Sequence, residues 1–379
     1  MKFILSVIMV IGFFSLALNA QKVIMNSDKP ANPNSGRVII PQKVMEISGD
    51  SEDFFFKNLD NIKIGADGSI FVDDENQILK FTPEGRFGLN YFKSGQGPGE
   101  AISVSAYIPL ADNTIAIHNQ APNKVMTFDN QGKLISEVRI PIDKKLFLFL
   151  IKKNAYYFYS IEMPDTMGVE KILDVPYQFM SVSKKDFSIE KNITLPIKSY
   201  LVKSPGAGHI MVKAAYLLSY PVSDNLYYVC HSQGYAIKLV DLDKKAIISE
   251  FSRKYNRVRV TKENEKYVFK ISFMFHGKYF ESPIPEYLND IQSLHVVNNK
   301  LLVITSTTDK NKGILVDVYD ESGKYVDCFF IKFPNNDLWL ALDQRKMAIS
   351  GDALFAIEKD KDENWMISKY KVPFTELEK

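Results

Sequence analysis

The strongest constraint on the fold is an internal repeat of short strand-forming segments separated by tight turns. Its two clearest copies span residues 62–86 and 107–133. Both run strand, turn, strand, Asn-x-(Ile/Val)-x-x-Phe, turn and strand. The turns are Asp-Gly, Asp-Asn, Glu-Gly and Gln-Gly, which are residue types that tolerate a positive φ. A repeated unit that cannot bury its apolar face alone predicts a solenoid, a propeller or a similar array.

Looser copies of the unit continue along the chain, and they begin at Leu146, Tyr216, Leu294 and Lys346. The last copy has three strands where the others have four. The strand-like segment 37–47 belongs to no copy, so it would complete the last one and hide an open sheet edge. The pattern predicts an all-β fold, a six-bladed β-propeller of four-stranded antiparallel blades. The alternative, two stacked β-sandwiches, leaves the repeated turns unexplained.

Composition supports a single large β fold. The 379 residues are 46% hydrophobic and 12% aromatic, and the formal net charge is +2. This apolar fraction excludes a disordered chain, and the balanced charge excludes a nucleic-acid binder. Cys230 and Cys328 fall in different repeats, so we expect two isolated thiols rather than a disulfide.

The N-terminus has the pattern of an export signal. Lys2 precedes an apolar run that ends near Leu18, and the small residue Ala20 follows, so cleavage is expected after Ala20. An uncleaved membrane anchor is the alternative, but the run is short for a span. No cysteine lies near the cut, so a lipoprotein is not expected. The predicted domains are a signal peptide (1–20), a polar linker (21–35), the propeller (36–374) and a tail (375–379), in a periplasmic or extracellular protein.

One stretch of sequence resembles a known family. The stretch combines a turn, a repeat motif and a glycine-rich connection: Asp67-Gly68, Asn76-x-Ile78-x-x-Phe81, Gly85 and Gly95-Gln-Gly-Pro-Gly-Glu100. It is similar to the secreted bacterial six-bladed β-propeller family, which is related to NHL-repeat propellers. The resemblance implies the fold and export, and it supplies no catalytic residue.

Long insertions are predicted on one face only. Adjacent strands of a meander run in opposite directions, so the connections between second and third strands and those between blades emerge at one end. Every long insertion falls there: 162–176, 196–213, 252–290 and 332–345. Long loops in a compact domain are usually functional or disordered, and four on one face favour function.

Polar residues are also predicted at the mouth of the central channel on that face. The position seven residues after the start of each first turn is polar in all six repeats: Asp74, Asn119, Ser160, His231, Thr305 and Glu358. His118 and Glu100 are further candidates for ligand binding. Convergent polar groups in a concave mouth suit a small molecule. Equally, strand ends are polar because they meet water. If a divalent cation is bound, Asp74, Asn119 and Glu358 are its expected ligands; no other cofactor is predicted.

Two segments on this face have competing interpretations. The segment from Gly95 to Glu100 is either a rigid lip with Glu100 directed at the channel or a tight crossover between blades. The insertion 252–290 is rich in Lys, Arg and aromatic residues, which suits an acidic partner or a sugar. It would serve equally as a solvated lid over the channel.

Catalytic motifs are absent from the sequence. The five histidines form no HExxH motif, and no Gly-x-Ser-x-Gly nucleophile elbow occurs. The function favoured is therefore an exported, non-catalytic module that binds a small molecule, a glycan or a protein, with no nucleic-acid partner. The alternative is a lactonase-like hydrolase that depends on a divalent cation at the channel mouth. Because both kinds of protein use this fold, the fold alone does not separate them.

Overall fold

The computed structural model describes residues 22–49, 53–75, 77–142, 146–161, 171–204, 208–213, 217–268, 272–275, 278–281, 284–334 and 344–374. Residues 1–20 and 375–379, predicted as a signal peptide and a tail, lie outside this part. Six sheets of four or five strands form six blades, and the predicted six-bladed β-propeller is confirmed. Within the described part, helical structure is limited to short 3-10 segments, which include Glu265–Tyr267 and Gln344–Lys346.

Three strands precede the first blade: β1 (Lys22–Asn26), β2 (Arg37–Ile39) and β3 (Gln42–Ser48). Blade 1 contains β4 (Leu59–Ile64), β5 (Ile70–Asp74), β6 (Gln77–Phe81) and β7 (Phe87–Asn90). Blade 2 contains β8 (Ala106–Pro109), β9 (Ile115–Gln120), β10 (Asn123–Phe128) and β11 (Leu134–Arg139). Blade 3 contains β12 (Leu146–Ile151), β13 (Ala155–Ile161), β14 (Lys171–Ser183), β15 (Ile189–Ser204) and β16 (Gly208–Lys213).

Blade 4 contains β17 (Leu217–Pro221), β18 (Leu226–His231), β19 (Ala236–Asp241) and β20 (Ala246–Arg253). A separate hairpin, β21 (Ser272–Phe275) and β22 (Lys278–Glu281), follows it. Blade 5 contains β23 (Ile291–Val297), β24 (Lys300–Asp309), β25 (Gly313–Tyr319) and β26 (Tyr325–Ile331). Blade 6 contains β27 (Met347–Ser350), β28 (Ala353–Lys359) and β29 (Trp365–Lys371). The first strands of most neighbouring blades contact each other, so they are innermost.

Short turns and buried middle strands explain the blade structure. Gly68 and Asn113 have φ values of +82° and +63° and close the turns that the sequence marked with Asp-Gly and Asp-Asn. The second and third strands of a blade face neighbouring blades on both sides, so β9 is buried at five successive positions, residues 115–119. Its run of apolar side chains therefore lacks the alternation of a half-exposed strand.

The core consists of layers between blades. Six clusters of buried apolar side chains each join two adjacent blades, and one of them joins the last blade to the first. In that cluster Ile47 and Phe355 of blade 6 pack with Leu59 and Val72 of blade 1. The layers form a continuous circle, so no sheet face at the seam is left without a partner.

The N-terminal segment runs along three blades in succession. As predicted, a strand from this segment completes blade 6, because β3 pairs antiparallel with β29. The predicted boundary is wrong at its start: residues 37–39 pair in parallel with β26 and add a fifth strand to blade 5. The predicted linker is wrong as well, since β1 pairs in parallel with β20 of blade 4. Its polar sequence reflects an outer position and not the absence of structure.

Two of the predicted loops are largely strand. Residues 171–176 pair with residues 196–201, beyond the point where Ile161 and Tyr177 end the pairing of β13 with β14. Strand β16 then pairs with the end of β15. We call residues 171–176, 196–204 and 208–213 the blade 3 ribbon. Because β13 ends at the face from which the connections between blades emerge, the ribbon extends from that face, which we call the top face.

The insertion after blade 4 is a second projection from the top face. Its two arms pair at the base, where the Val260 N–H donates to the Glu286 carbonyl and the Leu288 N–H donates to the Val258 carbonyl, each at 2.9 Å. Beyond this base lie one 3-10 turn and the hairpin of β21 and β22. We call residues 254–268, 272–275, 278–281 and 284–288 the finger. Residues 335–343 of the remaining predicted insertion lie outside the described part.

The two cysteines are separate, as predicted. Cys230 is buried in blade 4 and Cys328 is partly buried in blade 5, and both are free thiols. Burial raises the pKa of each thiol, so neither is activated as a nucleophile.

Candidate functional site

Two of the predicted strand-end residues hold the connections that lead into their own blades. Both carboxylate oxygens of Asp74 accept the Lys57 N–H, at 2.9 and 3.0 Å, and Oδ1 also accepts the Asn58 N–H. Asn119 accepts the Ser103 N–H at 3.1 Å and donates to the Pro122 carbonyl. Both side chains are fully buried. They therefore satisfy backbone groups that would otherwise be unpaired in the interior.

The other strand-end residues also bond within their own blades. Thr305 donates to the Leu315 carbonyl and accepts the Thr307 N–H. His231 Nδ1 accepts the Gln233 N–H at 3.2 Å. Ser160 is 5% exposed and stands opposite Leu146 and Gln178 in the sheet of blade 3. Thr305 and His231 thus have local hydrogen bonds, and the predicted role of all three residues in ligand binding stays a prediction.

Glu358 completes this set in blade 6. Its two carboxylate oxygens accept the Tyr370 hydroxyl at 2.7 and 2.9 Å, and Lys43 Nζ lies 3.6 Å from one of them. The three expected cation ligands, Asp74, Asn119 and Glu358, thus share no partner, and each contacts residues of its own blade or of the connection into it. Among the residues that the structure describes, no group of three or more His, Cys, Asp or Glu side chains is arranged to hold a metal ion.

The glycine-rich connection is a clamped crossover between blades 1 and 2. Glu100 Oε2 accepts the Gly97 N–H at 2.9 Å. A Cβ on Gly95, whose φ is +151°, would lie 2.0 Å from the same oxygen, so only glycine fits there. The fully buried Lys124 donates to the Gly97 carbonyl and pairs with Glu137 at 3.1 Å. The carboxylate of Glu100 is used inside the connection, which fits the crossover interpretation.

His118 lies in the layer between blades 2 and 3. Its ring nitrogens bond Ser105 Oγ and Asn123 Oδ1, both at 2.9 Å, and the ring meets Phe158 edge-on. Burial lowers its pKa, with Asn123 acting in the opposite direction. A neutral imidazole with both nitrogens bonded is typical of a structural histidine.

The segment that leads into blade 6 crosses the channel region at the top face. Gln344 Nε2 donates to the Ser219 carbonyl of blade 4 at 2.8 Å. The next residue, Arg345, pairs with Asp60 of blade 1 at 2.8 Å. Residues from blades 1, 4 and 6 are therefore joined at the position where the sequence placed an open, polar mouth.

A buried cluster around the ion pair of Arg253 and Asp317, at the start of the finger, was not predicted from the sequence. Arg253 contacts Asp317 through Nε at 2.8 Å and Nη2 at 2.6 Å. Asp317 also accepts the Tyr235 and Tyr325 hydroxyls. The guanidinium lies 4.9 to 5.2 Å from the ring centres of Tyr235, Tyr255 and Tyr325. The only sequence signal was the clustering of Arg and Tyr near the end of blade 4, and it did not reveal the distant carboxylate.

This cluster fixes the start of the finger against blade 5. Asp317 is fully buried, and burial raises its pKa while Arg253 acts in the opposite direction. The guanidinium, which contacts the carboxylate through two nitrogens, favours its charged form. Tyr255, the second residue of the finger, stacks on Tyr235 and bonds Thr307 Oγ1 at 3.0 Å. The root of the finger is therefore rigidly attached.

Part of the positive charge of the finger is neutralised nearby. Arg257 pairs with Asp290 at 2.9 Å and lies 4.5 Å from the ring centre of Tyr287. Arg259 pairs with Glu286 at 3.0 Å, and both side chains are largely exposed. The exposed residues Lys254, Lys262 and Lys266 extend along the same arm.

The part of the chain that the structure describes contains no helix with the length and apolar character of a membrane span.

A known protein family matches more than half of the chain. The sequence profile of the family DUF5128, described as a 6-bladed beta-propeller, matches residues 50–279, which is more than half of the chain. The protein belongs to this family of six-bladed β-propellers, as the resemblance in the sequence implied. None of the curated proteins matches the chain.

Two solved structures have the same fold. One is a Bacteroides fragilis NCTC 9343 protein whose name describes it as exported; it is 13% identical, with a TM-score of 0.51, and the match covers 93% of this chain and 99% of that one. The other is a DUF4221 family member from Bacteroides vulgatus ATCC 8482; it is 10% identical, with a TM-score of 0.53, and coverage is 88% and 98%. At these identities the similarity concerns the fold alone.

Proposed function

We propose that the protein is an exported, non-catalytic binding module that recognises an acidic ligand with its top face. Export is supported by the signal-like N-terminus and by the name of the B. fragilis structure. The observation that carries the binding role is that the two projections, the blade 3 ribbon and the finger, both emerge on the top face and both carry excess positive charge.

The charge excess is local. The blade 3 ribbon has four lysines and one aspartate, and the finger has six basic and four acidic residues, whereas the whole chain is only +2. The remainder of the protein is therefore net negative. A concentrated positive field on one face favours association with acidic groups and fixes the orientation of approach.

The site chemistry favours binding over hydrolysis. Asp74 and Glu358, the best candidates for holding a catalytic cation, use their carboxylates for backbone N–H groups and for Tyr370. A cation-dependent hydrolase needs such oxygens to be directed at the metal and an open coordination position. Metal analysis of the purified protein tests this point: a stoichiometric cation that is lost in Asp74→Ala would support the hydrolase instead.

Binding is tested with acidic and neutral polymers. Polyglutamate and heparin serve as the acidic probes, and dextran is the neutral one. A top-face triple variant, Lys254→Glu, Lys262→Glu and Lys266→Glu, reverses exposed charges on the finger. Its matched control is Lys133→Glu, Lys185→Glu and Lys324→Glu, which makes the same charge change at exposed turns of the opposite face.

We expect binding to one acidic probe that weakens with added salt, roughly tenfold weaker binding by the top-face variant, and no change in the control. The acidic probe that binds more tightly identifies the ligand as a protein or a glycan. Equal losses in the two triple variants would reduce the effect to net charge and overturn the proposal. Failure of both acidic probes to bind more tightly than dextran would also overturn it.

A further inference from the structure

A cavity of about 280 Å³ opens on the outer part of blade 1. It lies between the segment that enters blade 1 and the outer strands β6 and β7. Aromatic, amide and carboxylate side chains line it: Asp53, Phe54, Phe55, Gln77, Leu79, Phe87 and Asn90. This volume is slightly below the range of about 300–1,000 Å³ that is usual for drug-sized ligands, so the cavity suits a small ligand.

The apolar wall of the cavity is held in place by packing. The rings of Phe54 and Phe87 are stacked, with centroids 5.1 Å apart and an interplanar angle of 28°. Phe54 also meets Phe81 edge-on at 5.0 Å, and Phe81 is fully buried. The wall therefore belongs to the core between blades 6 and 1 and is formed before any ligand binds.

Phe55 is exposed where the neighbouring phenylalanines are not. Its exposed fraction is 62%, and of the phenylalanines whose side chains the structure describes, it alone is exposed. Lys57 Nζ lies 5.6 Å from the centre of its ring. Because this ring lines the cavity, a ligand can contact its face, and burial of the ring against that ligand would be favourable.

The polar wall is a fixed pair of amides. Asn90 Nδ2 donates to Gln77 Oε1 at 2.9 Å, and Asn90 Oδ1 accepts the Phe92 N–H at 2.9 Å. These bonds set the orientation of both side chains. The Gln77 Nε2 group takes no part in the bond between the amides, and Asn90 Nδ2 has a second N–H, so both are suited to donate to a hydroxyl.

We propose that this cavity binds a neutral sugar residue, either free or at the end of a glycan. A sugar ring presents polarised C–H groups on its faces, which the electron-rich face of Phe55 attracts, and hydroxyls on its edge, which suit the amides. The side chains that line the cavity include the carboxylate of Asp53 and no cationic group, so the lining does not favour an acidic sugar. Blade 1 stands opposite blade 4 in the ring, so this site is separate from the finger and independent of the acidic-ligand proposal.

Saturation-transfer NMR with glucose, galactose, mannose and N-acetylglucosamine tests the proposal, with glucuronate as the acidic comparison. We expect transfer to the C–H protons of at least one neutral sugar and none to glucuronate. Phe55→Ala should weaken binding at least tenfold. The matched control Ile135→Ala, which removes a side chain that is 57% exposed on blade 2, should leave binding unchanged.

Because Phe55 is exposed, its replacement should not prevent folding, and circular dichroism verifies this. Absence of transfer to every neutral sugar would overturn the proposal, as would unchanged binding by folded Phe55→Ala. Addition of polyglutamate should not displace the sugar. Displacement would assign the sugar to the acidic-ligand site near the finger and so overturn the blade 1 site.

Discussion

Buried ionisable side chains in this propeller are stabilised in two different ways. Asp74 is satisfied by backbone N–H groups of its own blade, whereas Asp317 of blade 5 is satisfied by Arg253 and a tyrosine of blade 4. The first arrangement stabilises a loop, and the second joins two blades. A charge that is paired across an interface makes the alignment of those blades depend on one carboxylate.

Replacement of Asp317 by asparagine should therefore be strongly destabilising. The variant leaves the guanidinium of Arg253 in the interior without a counter-charge, because Arg253 is only 9% exposed. We expect the free energy of unfolding to fall by about 3–5 kcal/mol, measured by urea denaturation. The control Asp362→Asn changes an exposed carboxylate in a turn and should cost less than about 0.5 kcal/mol. Equal stability of the two variants would contradict an essential buried ion pair.

His295 predicts a pH dependence of stability. It is 1% exposed, neither ring nitrogen has a hydrogen-bond partner among the described residues, and burial lowers its pKa to about 3. Below pH 6.5 the unfolded chain binds a proton at this histidine that the folded chain does not. Stability from this group is therefore complete above pH 6.5 and is lost as the pH falls toward 3.

His295→Leu should abolish this part of the acid sensitivity. Between pH 6.5 and 4 the wild type should lose about 3 kcal/mol more than the variant, measured by urea denaturation at each pH. His231→Gln, which replaces a half-exposed histidine, should keep the wild-type slope. If the stability curves of wild type and His295→Leu are parallel, the folded protein binds a proton at His295 as readily as the unfolded chain does, which would contradict this prediction.

The sequence predicted where polar side chains occur but not what they contact. The seven-residue offset from each turn selected strand ends that include Asp74 and Asn119, which the prediction placed at the channel mouth and which are buried in the structure. Their partners are backbone N–H groups 16 or 17 residues earlier in the chain, and any sequence supplies such groups. The pairing of Arg253 with Asp317 spans 64 residues and carries no local pattern.

At the scale of elements, the N-terminal segment pairs with the outer strands of blades 4, 5 and 6 in succession. Asn26 donates to the Ser252 carbonyl of blade 4 and to the Gly323 carbonyl of blade 5. Arg37 then makes a bidentate contact with Asp327 of blade 5, at 2.8 and 3.2 Å. These bonds place β1 and β2 on the outer edges of their blades, which would otherwise be free to pair with another chain.

The pair of Arg37 and Asp327 should contribute measurably to this attachment. Asp327 is almost buried while Arg37 is partly exposed, with side-chain exposures of 6% and 36%. A double-mutant cycle with Arg37→Ala and Asp327→Ala should give a coupling energy of about 1–2 kcal/mol in urea denaturation. A cycle on the exposed pair Arg259 and Glu286 should give less than about 0.5 kcal/mol. Equal coupling in the two cycles would show that β2 is not held by this contact.

Elements with local patterns were predictable, and those that depend on distant partners were not. Strand β3 lies largely within segment 37–47, which was identified as the closing strand because it is strand-like and belongs to no repeat. Strand β1 is short and lies among polar residues and prolines, so its strand conformation depends on the edge of β20. The blade 3 ribbon was taken for loops because its strands exceed the length of a blade, and its pairing extends past the repeat.

At the scale of the whole molecule, stability depends on closing a circle of layers. The layer between blades 6 and 1 includes Ile47 of β3, which is 5% exposed. This strand comes from the start of the described chain, and β29 comes from its end. Strands β3 and β29, which are far apart in the sequence, must therefore pair to complete the last layer. Such a distant pairing makes closure of the ring depend on most of the chain being folded.

Removal of β3 should open this circle. A variant that begins at residue 49 loses β1, β2 and β3, which exposes the edge of β29 and part of the layer with blade 1. We expect it to lose several kcal/mol and to self-associate through the free edge, measured by thermal denaturation and size-exclusion chromatography. A variant that begins at residue 36 loses only β1 and should stay monomeric with a smaller loss. A synthetic peptide of residues 41–49 should restore the longer truncation toward a monomer, because it can pair with β29. If the two truncations are equally stable and monomeric, the strand from the N-terminus does not close the ring.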